Sequence, residues 1–305
     1  MGNNIKFPPQ KLIEIDDGRK LIIGVNGEIQ ILDQELEILF EEKKPFPTSI
    51  SHSSVSSETL FAFWIDLELM IARMAAFNLN EEISEGPSRS ELRMALTQKK
   101  NVIIKGANWS HILDSEPLSI VSNDEKVIFT TWKRGLYCID HDSNELWRSA
   151  PLKWESTIKE SHFIISMHLT KNGLFVWSKG AEWILINVEN GDLIEKGKIE
   201  FPHILENVFV HDEKTLLCSN DGHMTWFDNF DFAESISTRE KGPIHDAKWD
   251  PDLECWRLCI WRQDIIWSKS SKNKKNREEI GKTIFHKNDK WMVLDNCGNF
   301  SEHLS

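Results

Sequence analysis

The chain has 305 residues, a formal net charge of −12, and 13 Trp and 16 Phe among the two residues in five that are hydrophobic. That content supplies a packed core and argues against disorder. The acidic balance repels phosphate backbones, and no apolar run approaches the roughly 18 residues of a membrane span, so neither nucleic acid nor membrane is expected as a partner.

In chain order, MGNNIKFPPQ comes first, without the apolar core or small-residue cleavage site of a signal peptide, and with Lys6 where a myristoylation signal wants Ser or Thr. One pattern then recurs: a polar turn followed by a run of apolar and β-branched residues. It reads DDGRKLIIG at 16–24, SSETLFAFW at 56–64, NDEKVIFTTW at 123–132 and TKNGLFVWS at 170–178. It returns as DEKTLLCS at 212–219, DPDLECWRLCIW at 250–261 and NDKWMVLDN at 288–296. Anchored on Lys20, Thr59, Lys126, Gly173, Lys214, Glu254 and Lys290, the intervals are 39, 67, 47, 41, 40 and 36. Most lie near the period of about 40 to 45 of four-stranded blades.

After each run comes a tight turn and a second apolar run ending in Asp or Asn. Gly27 leads to Asp33, Gly135 to Asp140, Gly180 to Asn187 and Gly222 to Asp228. Two apolar runs split by a glycine turn predict a β-hairpin, because glycine accepts the positive φ of such turns. The interval of 67 predicts an insertion over 84–108, with a short helix at 88–98 capped by Ser88 and Glu91. Its Pro87, serines and alternating charges suggest surface, so its removal is expected to leave the fold intact. The basic run 269–282 is read as a solvated, mobile hairpin loop.

The unit VIFTTWKRGLYCIDHDSNELWRS resembles the repeat of PQQ-like β-propellers at Gly135, Tyr137, Asp140 and Trp147. The unit KGPIHDAKWDPDLECWRLCIW is similar to a Trp-Asp-repeat strand with its turn, without the closing Trp-Asp pair. The resemblance implies an all-β fold over 1–305, a single seven-bladed β-propeller closed by pairing of its N- and C-terminal segments. Eight blades is the alternative, with 96–107 as a degenerate turn and strand. Enzymes of the PQQ kind carry a disulfide of adjacent cysteines, which is missing from this sequence. No cofactor is therefore expected.

Chemical motifs are sparse. Cys138 and His141 flank a strand end with nothing to aim one at the other, so they read as part of a hairpin rather than a nucleophile and its base. Cys255 and Cys259 share a strand face, but only His245 lies near them in sequence, and no metal site is expected. The five cysteines are odd in number and scattered, which fits reduced thiols and a cytoplasmic location. The expected binding residues lie on rim loops and the insertion: Asp66, Arg89, Arg93, Lys133, Arg134 and Arg262.

The sequence thus favours a non-catalytic scaffold for an unidentified protein partner, monomeric or a subunit of a complex. A hydrolase or lyase would instead use polar groups at a central channel, with His52, His162, His168 and His245 in or near innermost strands. A small-ligand sensor would use the tryptophans (Trp132, Trp177, Trp183, Trp226, Trp256, Trp261, Trp267), all expected on strands.

Overall fold

The computed structural model describes residues 5–156 and 160–304. They form a seven-bladed β-propeller, nearly all β, with 27 strands and one helix. The chain divides into two compact units. Unit 1, from Phe7 to Leu152, holds three antiparallel sheets of four strands. Sheet 1 is β1 (Pro9–Glu14), β2 (Lys20–Gly24), β3 (Ile29–Leu32) and β4 (Ile38–Lys43). Sheet 2 is β5 (Ile50–Ser56), β6 (Thr59–Asp66), β7 (Ile71–Asn78) and β8 (Trp109–Leu113), with α1 (Arg89–Thr97) between its last two strands. Sheet 3 is β9 (Pro117–Ser122), β10 (Val127–Thr131), β11 (Leu136–Ile139) and β12 (Glu145–Arg148).

Unit 2 takes Lys153 onward, together with Ile5 and Lys6. Sheet 4 is β13 (Ile164–Thr170), β14 (Gly173–Ser178), β15 (Glu182–Ile186) and β16 (Leu193–Lys198). Sheet 5 is β17 (Leu205–His211), β18 (Lys214–Ser219), β19 (His223–Phe227) and β20 (Ser235–Arg239). Sheet 6 is β21 (Ile244–Asp250), β22 (Cys255–Ile260), β23 (Gln263–Trp267) and β24 (Lys272–Asn276). Sheet 7 has three strands, β25 (Gly281–Lys287), β26 (Lys290–Asp295) and β27 (Phe300–Glu302). Ile5 donates its N–H to Gly298 O at 3.1 Å, so the start of the chain meets the last sheet in this unit.

The repeat anchors fall at or beside the start of the second strand in all seven sheets. Second and third strands are buried on both faces, which is why their sequences are continuous apolar runs rather than alternating ones. Fourth strands such as LIEKGK and KNKKN are largely exposed, and their charges discourage edge-to-edge pairing. The run at 269–282 is therefore no mobile loop. It contains β24, whose Lys272 and Lys274 both pair with buried Glu240.

One feature of the repeat is geometric and invisible in composition. Each first strand carries a one-residue bulge near its start: Gln10, Ser51, Leu118, Ile165, Glu206, His245 and Lys282. A bulge adds local twist, and its recurrence in all seven sheets marks them as copies of one unit where the residues have diverged.

The eight-bladed alternative fails, because residues 98–108 contain no strand. Removal of the insertion also looks different in three dimensions. Ile83, Leu92 and Ile104 are buried in the cluster that joins sheet 1 to sheet 2, with Leu96 and Val102 packed against it. This segment is core on one side, because α1 turns Leu92 and Leu96 inward and its charges outward. Met94 of the same helix is exposed.

Candidate functional site

In each sheet, the hairpin between second and third strands has one residue in the left-handed region. In sheets 1, 5 and 7 it is Gly27, Gly222 or Gly298, and in sheet 4 it is Ala181. In sheets 2, 3 and 6 it is Met70, Lys133 and Arg262, with φ of 51°, 57° and 52°. Glycine adopts this conformation without strain, whereas a residue with a Cβ costs about 1–2 kcal/mol. These three tips place long side chains where glycine would be the relaxed choice.

Two of the three lie in unit 1, where the tip of sheet 2 is built up by α1. Ser88 caps the helix: Glu91 N–H donates to Ser88 Oγ at 3.3 Å, and Ser88 N–H returns to Glu91 Oε2 at 2.7 Å. The cap fixes the first turn, so Arg89 and Arg93, four residues apart, reach the same hairpin. Arg89 pairs with Asp66 and, at 2.8 Å, with Glu68; Arg93 pairs with Glu68 at 2.6 Å. Asp66 is buried and also accepts Leu69 N–H at 2.9 Å. Burial would raise its carboxyl, but that N–H and Arg89 outweigh it and hold the pKa below the ordinary value. Beside this network Leu67 and Met70 are 72 % and 86 % exposed.

The structure therefore joins Asp66, Arg89 and Arg93 through Glu68. At the tip of sheet 3, Lys133 lies over Trp132, 5.6 Å from its ring centroid, and Arg134 pairs with Asp114 at 2.7 Å. Arg262 stands in unit 2, next to the exposed Trp261, and its carbonyl accepts Arg277 N–H. Trp132 and Trp261 are turn residues, not strand residues, because β10 ends at Thr131 and β22 at Ile260. Composition does not single out Leu67 and Met70, although LELM puts three apolar residues in a turn where polar ones are usual.

The polar stretch around Cys138 is a hairpin. Asp140 accepts Asn144 N–H at 2.7 Å, as Asp33 accepts Glu35 and Glu37 and Asn187 accepts Glu189. The repeated Asp or Asn is thus a turn former. His141 Nε2 lies 2.8 Å from Asn123 O and 3.4 Å from Ser56 Oγ. A nitrogen that donates to a carbonyl has no lone pair with which to activate a serine, so the ring ties sheet 2 to sheet 3 instead of serving as a base.

Unit 2 brings Cys259, Asp264 and His303 together, with donor atoms within 4.8 Å of one another and all three residues buried. Sequence reading placed only His245 near the cysteines, since Asp264 and His303 arrive from β23 and the chain end. A cation fits poorly here. Asp264 is neutralised by Arg277 at 2.6 Å. His303 Nε2 faces Leu258 O at 3.2 Å, and Nδ1 faces Arg257 at 3.3 Å. Burial, reinforced by Asp264 and Asp246, pushes the Cys259 thiol well above its usual value and keeps it protonated. With Arg257 bound to Asp250 at 2.7 Å, the group is a buried polar network clamping sheets 6 and 7.

Of the first-strand histidines, His168 bonds Ser166 Oγ at 2.6 Å, while His52 Nδ1 and His245 Nε2 are buried without a hydrogen-bond partner. Burial lowers the pKa of all three, and Lys11 and Lys282 add to it at His52 and His245. None of the three is paired with a carboxylate. Unit 2 also has a cleft of about 810 Å³ beside Gly180, walled by Phe201 and Ile204 with Lys179 and Lys198. Its lining has hydroxyls at Ser156 and Ser161, which bond each other at 2.8 Å.

No family model matches the chain, and no curated protein matches it. Solved structures do. The β-propeller domain of Cps50 (Swd1) from Myceliophteria thermophila is 12 % identical, with 98 % of this chain and 96 % of that one covered at a TM-score of 0.70. The WD40 β-propeller domain of Doa1 is 13 % identical over 99 % and 94 %, at 0.63. BamB from Moraxella catarrhalis is 10 % identical over 98 % and 97 %, at 0.57. At such identities the likeness shows the fold, a β-propeller with WD40 and PQQ-like neighbours.

Proposed function

We propose that the chain is a non-catalytic interaction scaffold that holds a protein partner on the hairpin ends of sheets 2 and 3. The observation that carries this is Met70. An 86 % exposed apolar side chain sits in a left-handed turn, beside exposed Leu67, on a tip braced by the Asp66, Arg89, Glu68 and Arg93 network. Strain and exposed apolar surface both oppose the folded monomer, so their coincidence on a rigid tip favours use in recognition. Lys133 and Arg134 add cationic groups at the next tip, and the WD40 neighbours are consistent with a scaffold. The buried thiols of Cys218, Cys255 and Cys259 take part in no disulfide, which supports a cytoplasmic location.

The test is co-purification from native-level expression, comparing the wild type with Leu67→Asp/Met70→Asp. A stoichiometric partner lost in the variant, with thermal stability unchanged, is the expected result. Retention of the same partner by the variant refutes the assignment to this surface, and a partnerless wild type refutes the scaffold.

A further inference from the structure

Buried charges in this protein come with partners. Lys20 has Glu14, Asp66 has Arg89, Glu240 has two lysines, Asp250 has Arg257 and Asp264 has Arg277. Buried Glu182 accepts two backbone N–H groups, and so does Asp295. Among the described residues, Arg73 on β7 departs from this pattern. It is 4 % exposed, its Nη1 reaches only the carbonyl of its own neighbour Ala72 at 2.9 Å, and its Nε has no partner. Among the described residues no carboxylate pairs with it. Burial lowers its pKa with no carboxylate to offset the effect, yet a guanidinium does not lose its proton under ordinary conditions. A partly desolvated charge with no counter-charge is unfavourable, and a chain with 48 acidic residues leaves it unanswered.

A second donor stands beside it. Trp64 is the register partner of Arg73 across β6 and β7, so the two share one face, and Trp64 Nε1 is also buried and unpartnered. Three other buried tryptophans have bare indole N–H groups, so an indole alone says little. Here its residue is the cross-strand partner of the one that carries an unpaired guanidinium. The same face carries Ala75 and Phe77 and packs with Leu92 of α1. Toward the fourth strand, Arg73 pairs with Ile112 on β8, which is 56 % exposed, so solvent lies one strand away.

We propose that Arg73, with Trp64, is the receptor for a small oxyanion, a carboxylate or a phosphate, taken on the α1 side of sheet 2. The planar fork of the guanidinium matches two oxygens of either group, and the indole N–H supplies a further donor. The site is separate from the exposed tip at Leu67 and Met70 and does not depend on it.

The test is thermal unfolding at constant ionic strength, with chloride replaced stepwise by inorganic phosphate or, separately, by acetate. The wild type is expected to show a saturable rise in Tm of about 4 °C at a hundredfold excess over Kd. A response to acetate alone assigns a carboxylate, and one to phosphate alone assigns a phosphate. Arg73→Met, similar in length and uncharged, is expected to show no rise and no loss of basal Tm. Arg73→Lys keeps the charge without the fork and is expected to lose most of the response, which decides the matter if the Met variant does not fold. No saturable rise in the wild type with either anion overturns the proposal, as does an equal rise in both variants.

Discussion

Replacing residues 86–107 by a short Gly-Ser linker tests how far the insertion belongs to the core. Leu92 and Ile104 are almost completely buried, and removing a Leu or Ile side chain from such a place costs about 2–5 kcal/mol each. The linker also strips Arg89 from Asp66, leaving a buried carboxylate that loses its cation, at about 3 kcal/mol. Partial collapse of the linker recovers some of this, so the net loss is on the order of 6–10 kcal/mol, comparable with the whole stability of a domain. The variant is therefore expected to aggregate or to melt without cooperativity. Leu92→Ala, a gentler probe, is expected to lose about 3 kcal/mol, which lowers Tm by about 5 °C for a chain of this size. Urea unfolding followed by tryptophan fluorescence reads both. A soluble linker variant with Tm within about 2 °C of wild type and an unchanged m-value would refute the core assignment and restore the view that the segment is a surface loop.

Met70→Gly is expected to stabilise the protein by about 0.5–1 kcal/mol, since relief of left-handed strain outweighs the entropy of glycine, while partner capture falls; calorimetry and co-purification check the two halves. Loss of stability in that variant would show that Met70 packs in the fold. His52 and His168 are held neutral by burial, each with pKa lowered to about 4. The unfolded chain then binds more protons below about pH 6.5, so Tm is expected to fall progressively from pH 6.5 to 4, with a shallower slope in His168→Gln. A flat Tm across that window would contradict the buried, neutral state of both rings.

The seven second strands were legible because both faces of each are buried, which writes the repeat as uninterrupted apolar runs. Anchors from Lys20 to Lys290 needed no other signal. First strands were not legible in the same way. Their side chains are only partly buried, as in ISHSSVS and IHDAKWD, so the sequence there is free to vary. The bulge that unites them is a backbone property that Gln, Ser, Leu, Ile, Glu, His and Lys all satisfy. Asp66, Arg89 and Arg93 could be named as surface charges, but their union through Glu68 depends on the direction of α1, which only its packing fixes. Arg73 did leave a trace, a lone charge inside IARMAAFNL. Composition cannot say whether such a charge has a partner, because the candidates are 48 acids spread over the whole chain.

The division of labour among the hairpins follows from the same physics. A propeller sheet is stiffened by its two middle strands, and their tip can carry strain only if the strands beneath do not yield. Sheets 2 and 6 each have their own brace: α1 and the Asp66 pairs in one, the Asp250, Arg257, Asp264 and Arg277 network in the other. These are two of the three sheets whose left-handed residue is not Gly or Ala. In sheet 3 the brace is lighter, the single pair of Arg134 with Asp114. Sheets 1 and 5 also carry pairs at this hairpin, Glu28 with Lys44 and Asp221 with Arg239, and there glycine holds the turn. The tip of sheet 2 differs in what stands under it: the Asp66, Arg89, Glu68 and Arg93 pairs tie the hairpin to a capped helix, so the left-handed Met70 sits on strands that cannot relax around it.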